Sequence, residues 1–381
     1  MNAQVKLNSR ERLQRALNHQ EPDRLPIAFG GPECSIHKLA HQNLINHLGL
    51  VETTPAPIMD YCLQIVEPAR QLFSRFGVDV VWLMPNEGDL NWESNGEIYT
   101  DDLNRRFMNA GGFFNQVGFP LQTGGQKELE RFIFPDVRSD GRVAGLAEKA
   151  EMLWDEGFGL VADGPWGLYE ICSSLRGTEM LFVDLVANQN YAEMLAERVL
   201  EEYLKPLYES ILKVVGEKVQ MVMISDDLGS QQNLLFSPRI FRAVYKPRLK
   251  RLVEHIHVFT KAKVYIHSDG AVSALIPDFI DIGLDGLNPI QYTAAGMESA
   301  RLKRKFGKDF GFFGGGIENQ LLSVGSPAQV RAEVKRQIQL LAHDGGYLLA
   351  TIHNISQEVP PENVVAFFEA AQEFGQYPIS G

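Results

Sequence analysis

The chain has 381 residues, of which 45% are hydrophobic and 22% charged, with a formal net charge of −12; this is ordinary globular usage, with enough chain for one large domain and a sizeable core. The acidic balance argues against nucleic acid as a partner, and the longest apolar runs, such as "VQMVMI" at 219 to 224, fall far short of the roughly 20 residues a membrane span needs. Three widely separated cysteines, Cys34, Cys62 and Cys172, form no C-x-x-C, so neither a disulfide framework nor a thiolate zinc knuckle is expected, and a soluble, cytoplasmic protein fits.

Residues 1 to 20 predict an amphipathic, charged helix rather than a secretion signal. From residue 22 onward short apolar stretches alternate with helical ones. Strands are predicted at 24–29, 78–84, 158–163, 219–225, 263–267, 284–288, 310–315 and 347–353. Most are near-continuous apolar runs, the pattern of strands buried on both faces of a parallel sheet. Between the second and third lies "NWESNGEIYTDDLNRRFMNAGGFF" at 91 to 114. Its Asn95-Gly96 pair predicts a β-hairpin insertion, expected to cover the barrel mouth. Further on, Ser237-Pro238 and Ser326-Pro327 each read as a helix N-cap followed by the first helical position, and Gly345 as the end of the second helix. The basic run "RLKRKFGK" at 301 to 308 reads as a solvated helix face. Eight parallel strands joined by helices predict a (β/α)8 TIM-type barrel, residues 1 to 381 as one domain, with chemistry at the C-terminal strand ends. No G-x-G-x-x-G opens a helix after the first strand, which counts against an open doubly wound sheet.

Those strand ends carry Glu33, Asp163, Asp226 with Asp227, His267 with Asp269, Asn288 with Gln291, Gly314 to Gly316, and His353 with Asn354. So many carboxylates, imidazoles and amides are costly to bury unless paired or bound to metal. His267 and Asp269 are two apart, so an extended backbone turns both side chains to one face. With His353, 86 positions later, they make two imidazoles and a carboxylate, a ligand set that leaves a position open for substrate or water. The alternative is that His267 donates to a backbone carbonyl and Asp269 caps the next helix. Of the adjacent pair Asp226 and Asp227, one is expected to cap a helix; Asp227 is taken as the working acid or base, with Glu33 as a second catalytic carboxylate. Asp163, Asn288, Gln291 and Asn354 are taken as substrate-binding groups, while Tyr169 and Glu170 are weaker candidates.

Five segments, "SRERLQRALNHQEPDRLPI" at 9 to 27, "LRGTEMLFVDLVANQ" at 175 to 189, "HSDGAVSALIPDFIDIGLDGLNPIQ" at 267 to 291, "FGFFGGGIENQLLSVGSPAQVRAEVKRQI" at 310 to 338 and "GGYLLATIHNISQEVPPENVVAFFEAA" at 345 to 371, closely resemble the uroporphyrinogen decarboxylase superfamily. The resemblance implies a (β/α)8 barrel and a homodimer. It also offers two activities: decarboxylation of a tetrapyrrole, or zinc-dependent methyl exchange with a corrinoid carried on a partner protein. The decarboxylases carry Arg-Gln-Ala-Gly-Arg after the first strand, where this chain reads "FGGPECSIHKLAH". Without those arginines the main anion-binding groups for a polycarboxylated tetrapyrrole are missing. The methyltransferase branch is the better match. Its zinc site is a His-x-Cys after the fifth strand plus a later Cys, which fall here on His267, Asp269 and His353. Both thiolates are replaced by competent, harder ligands, so the resemblance implies a retained metal site suited to oxygen rather than to thiol activation. The chain lacks a D-x-H-x-x-G corrinoid segment.

The expectation is therefore a metal-dependent methyltransferase, with zinc or another divalent metal. It would act between a small methoxylated methyl donor and a corrinoid on a separate protein. The competing readings are a decarboxylase or lyase of a smaller carboxylated substrate, a 2-His-1-carboxylate iron site that activates dioxygen, and a non-enzymatic binding barrel.

Overall fold

A computed structural model describes residues 6–379 of the chain except 94, 140 and 165. Seven parallel strands form one continuous sheet: β2 (Val80–Leu83), β3 (Gly159–Asp163), β4 (Met221–Ser225), β5 (Lys263–His267), β6 (Gly286–Asn288), β7 (Gly311–Phe313) and β8 (Tyr347–Leu348), each hydrogen-bonded to the next. The predicted first strand, β1 (27–28), closes the ring. Ile27 bridges in parallel to Leu349 and Ala28 to Val80, with Ala28 N donating to Leu349 O at 2.9 Å and Val80 N to Ile27 O at 3.2 Å. All eight predicted strands are present, β5 at its full predicted length and the others shorter than their apolar runs. The architecture is a (β/α)8 barrel.

The two-residue period of each strand divides the core in two. Val80, Trp82, Val161, Met221, Met223, Tyr265 and Phe313 fill the barrel interior. Their neighbours Val81, Leu83, Leu160, Val222, Ile224, Val264 and Ile266 pack outward under the helices. The N-terminal helix is shorter than the expected 1 to 20: it runs over Ser9–Leu17, residues 1–5 lie outside the described residues, and it contributes Leu13, Ala16 and Leu17 to the inner cluster, so it packs beneath the barrel. Asn8 and Glu11 close its first turn as a reciprocal cap.

Ser326 caps Pro327–Leu341 with Gln329, and Ser237 accepts from Ile240 N at 3.3 Å, as the sequence predicts. The helix from 238 to 259 is not uniform, however: it widens to a π-helical turn over Phe241–Tyr245 before Lys246–Phe259. Val199–Leu204 does the same before Lys205–Val215. In each case a proline, Pro247 or Pro206, follows by two residues. Its missing N–H and its ring deny the carbonyl four positions back its usual partner.

The insertion is larger than a hairpin. Asn91–Trp92, Ile98–Thr100, Arg106–Ala110 and Phe113–Gly118 form a four-stranded antiparallel sheet, of which the Asn95-Gly96 turn is only the first connection. It is tied to the C-terminal side of the barrel. Arg105 Nη1 donates to Ser174 Oγ at 3.1 Å, Gln116 Nε2 donates to Ser174 O at 2.6 Å, and Phe113 packs on the His37 ring. No helix among the described residues is long and apolar enough to cross a membrane.

Candidate metal centre

The inward parity that places Val161, Met223 and Tyr265 inside the barrel runs on to Asp163, Ser225 and His267 at the C-terminal strand ends. Ser225 and His267 are paired in register across β4 and β5, and His267 and Asn288 across β5 and β6. Asp269 lies two residues beyond β5, and His353 follows β8. One donor atom from each of His267, Asp269 and His353 lies within 4.8 Å of the others. His353 Nε2 is 3.9 Å from Asp269 Oδ2, and the two imidazole rings are 6.2 Å apart.

Asp227 Oδ1 accepts from Asp269 N at 2.8 Å and sits 3.7 Å from His267 Nε2. The two adjacent aspartates divide as the sequence suggests. Asp226 is fully buried and accepts from Tyr169 N and Glu170 N at 2.8 and 3.0 Å, capping the helix Leu168–Arg176. Asp227 keeps 43% of its side chain exposed at the mouth. Glu33 is buried and accepts from Ser225 Oγ at 3.0 Å, while its second oxygen has no hydrogen-bond partner among the described residues. Asp163 lies beside it, fully buried, with the Glu33 carboxyl and the Trp82 side chain as its polar neighbours.

Asn288 and Asn354 lie behind this surface rather than on it. Asn288 is fully buried between His267 and the Phe313 carbonyl. Asn354 accepts from Ser35 N at 2.7 Å and donates to Pro32 O, pinning the segment that carries Glu33. Gln291 Oε1 accepts from Gly270 N at 2.6 Å, bracing the turn after Asp269. Ser225 carried no signal as a residue type, but the strand parity identifies it. Asp60, whose carboxyl feels both Arg105 and His353, could not be connected to the site by sequence spacing.

The electrostatics follow from burial. Burial alone would depress the His267 ring, but Asp269, Asp227, Glu33 and the hydrogen bond to Asn288 outweigh it and lift the group to about 9. Burial raises Asp269 above the usual carboxylate range, against the pull of His267 and His353. Burial, with Asp227 and Asp226 nearby, lifts Glu170 to about 8, and burial beside Glu33 raises Asp163 well above an ordinary aspartate. The mouth thus gathers carboxyl groups whose burial favours the protonated form. Arg105, which reaches over it from the insertion, is already paired with Asp101 at 2.6 Å.

The residues fit a divalent cation. Asp269 Oδ1 is buried without a hydrogen-bond partner among the described residues, and two imidazoles with one carboxylate suit zinc or another first-row metal.

Residues 158–374, more than half of the chain, match the family profile described as "Uroporphyrinogen decarboxylase (URO-D)". No curated protein matches the chain. Among solved structures, a methyltransferase from Methanosarcina mazei superposes with a TM-score of 0.66 at 18% identity, covering 97% of this chain and 99% of its own. A B12-independent methionine synthase from Shewanella sp. W3-18-1 gives a TM-score of 0.44 at 10% identity, covering 92% of this chain and 98% of its own.

Proposed function

This chain belongs to the uroporphyrinogen decarboxylase family, and from that premise we propose that it is a metal-dependent methyltransferase. The methyl group moves from a small methoxylated substrate to a corrinoid carried on a separate protein. The observation that carries the reading is the cluster of His267, Asp269 and His353, with Asp227 beside it. The similarity of fold to a methyltransferase supports it.

His267 Nε2, Asp269 and His353 would hold the metal, and a bound metal would supply Lewis acidity toward the ether oxygen. Asp269 balances one positive charge there, and its backbone N–H keeps Asp227 Oδ1 occupied. The other oxygen of Asp227, Oδ2, is then the atom placed to pass a proton to the leaving oxygen. In the transfer the carbon–oxygen bond breaks, its electron pair stays on oxygen, and oxygen takes that proton. The reduced corrinoid on the partner protein would supply the nucleophile that takes up the methyl carbon.

The test is elemental analysis of the purified protein beside Asp269→Ala and His353→Ala variants. One metal per chain in wild type, lost in both variants, is expected. So is methylation of reduced cobalamin by methoxylated compounds, followed in the visible spectrum and falling by about 100-fold or more in the variants. A wild type that takes up no metal on reconstitution would sink the proposal.

A further inference from the structure

His267 is held from behind as well as faced from in front. Asn288, at the end of β6, is fully buried, and its Nδ2 donates to Phe313 O at 3.3 Å. That bond sets the amide so that Oδ1 faces His267 Nδ1, 2.6 Å away. An amide oxygen only accepts, so the proton between them belongs to Nδ1. The Asn288 carbonyl is engaged too, accepting from Ser268 N at 2.6 Å, and the His267 carbonyl accepts from Asp226 N at 2.8 Å. Space for the amide comes from Gly314, whose φ of +74° suits glycine; a Cβ there would sit 3.0 Å from Asn288 Nδ2.

We infer that Asn288 is a positioning residue which holds His267 as the Nδ1–H tautomer and aims Nε2 at the space shared with Asp269 and His353. The inference rests on the metal reading above. Metal-binding imidazoles are commonly oriented through their second nitrogen by a carboxylate, a carbonyl or water. A neutral amide does the same work while leaving Asp269 as the one charged member of the ligand set. Asn288 is also kept from contact with substrate, because it is fully buried.

Two measurements test this. In zinc titrations against a chromogenic chelator, Asn288→Leu is expected to lose about 10- to 100-fold in affinity, while Asn288→Asp, which keeps an oxygen acceptor, stays within about threefold of wild type. Isotope-edited NMR of the wild-type imidazoles is expected to place the His267 proton on Nδ1, both with zinc bound and in metal-free protein once high pH has neutralised the ring. A folded Asn288→Leu protein with wild-type affinity, or a proton found on Nε2, overturns the inference. If Asn288→Leu fails to fold, the wild-type spectrum in metal-free protein still decides it. Should wild type bind no zinc, the metal reading fails, while the tautomer in metal-free protein still tests Asn288 on its own.

Discussion

Asp226 and Asp227 are neighbours with opposite surroundings, and substitution should separate them. Asp227→Asn removes a carboxyl that is 43% exposed and is expected to leave the melting temperature nearly unchanged. It is also expected to slow methyl transfer by about 10²- to 10⁴-fold, the usual contribution of a general acid. Asp226→Ala strips the cap from Leu168–Arg176 and is expected to cost about 1–3 kcal/mol in a denaturant melt. Equal thermal damage from both would contradict this division. His41, away from the mouth, makes a pH prediction. Burial lowers it to about 4, and its Nε2 accepts from Ala69 N at 3.1 Å, which only a neutral ring can do. Its nearest charged neighbour is Glu52, 3.7 Å from Nδ1. Because the folded state resists protonation and the unfolded state does not, this stabilisation is complete above the unfolded value. It declines as pH falls from about 6.5 toward 4, by on the order of 3 kcal/mol. Urea midpoints of wild type and His41→Gln should therefore converge as pH falls through that window; parallel curves would show that the ring contributes no such linkage.

Tyr265, on β5, fills the barrel interior across two glycines, Gly286 on the neighbouring β6 and Gly311 on β7 beyond it. A Cβ on Gly286 or Gly311 would run into the Tyr265 ring or its hydroxyl. Gly311→Ala is expected to destabilise by about 1–3 kcal/mol, the range for overpacking a filled core, with partial recovery in a Tyr265→Phe background. Unchanged denaturant midpoints would show that the interior has slack. At this scale the sequence was legible wherever burial was two-sided, since an apolar run between helix caps leaves few other solutions. It was less legible in the insertion, where only the Asn-Gly turn announced itself and four short strands with mixed faces emerged. It was blind to the π-helical turns at 199–204 and 241–245, whose cause lies in the prolines just beyond them.

Across the whole molecule, the bottom of the barrel is locked by Asp79. Its carboxylate, fully buried, accepts from Arg12 Nη1 and Arg24 Nη1 at 2.6 Å each, from Ser9 Oγ at 2.7 Å and from Ile27 N at 3.0 Å. One side chain thus joins the N-terminal helix, the closing strand β1 and the start of β2. Asp79→Ala removes a shared acceptor from Arg12, which keeps Asp23, and from Arg24, which keeps the Leu25 and Gly77 carbonyls, and it is expected to cost about 2–3 kcal/mol of unfolding free energy. A loss below about 1 kcal/mol would mean that closure does not depend on this network.

By itself the sequence determined the barrel and the alternation that turns His267 and Asp269 the same way, because strand period and two-sided burial are local properties of the chain. Only the tertiary structure decided that His353 meets them, that Asn288 stands behind His267 rather than beside substrate, and that the helix Asp226 caps is Leu168–Arg176. Those outcomes depend on the register between strands and on closure between β8, β1 and β2, set by packing among residues tens to hundreds of positions apart.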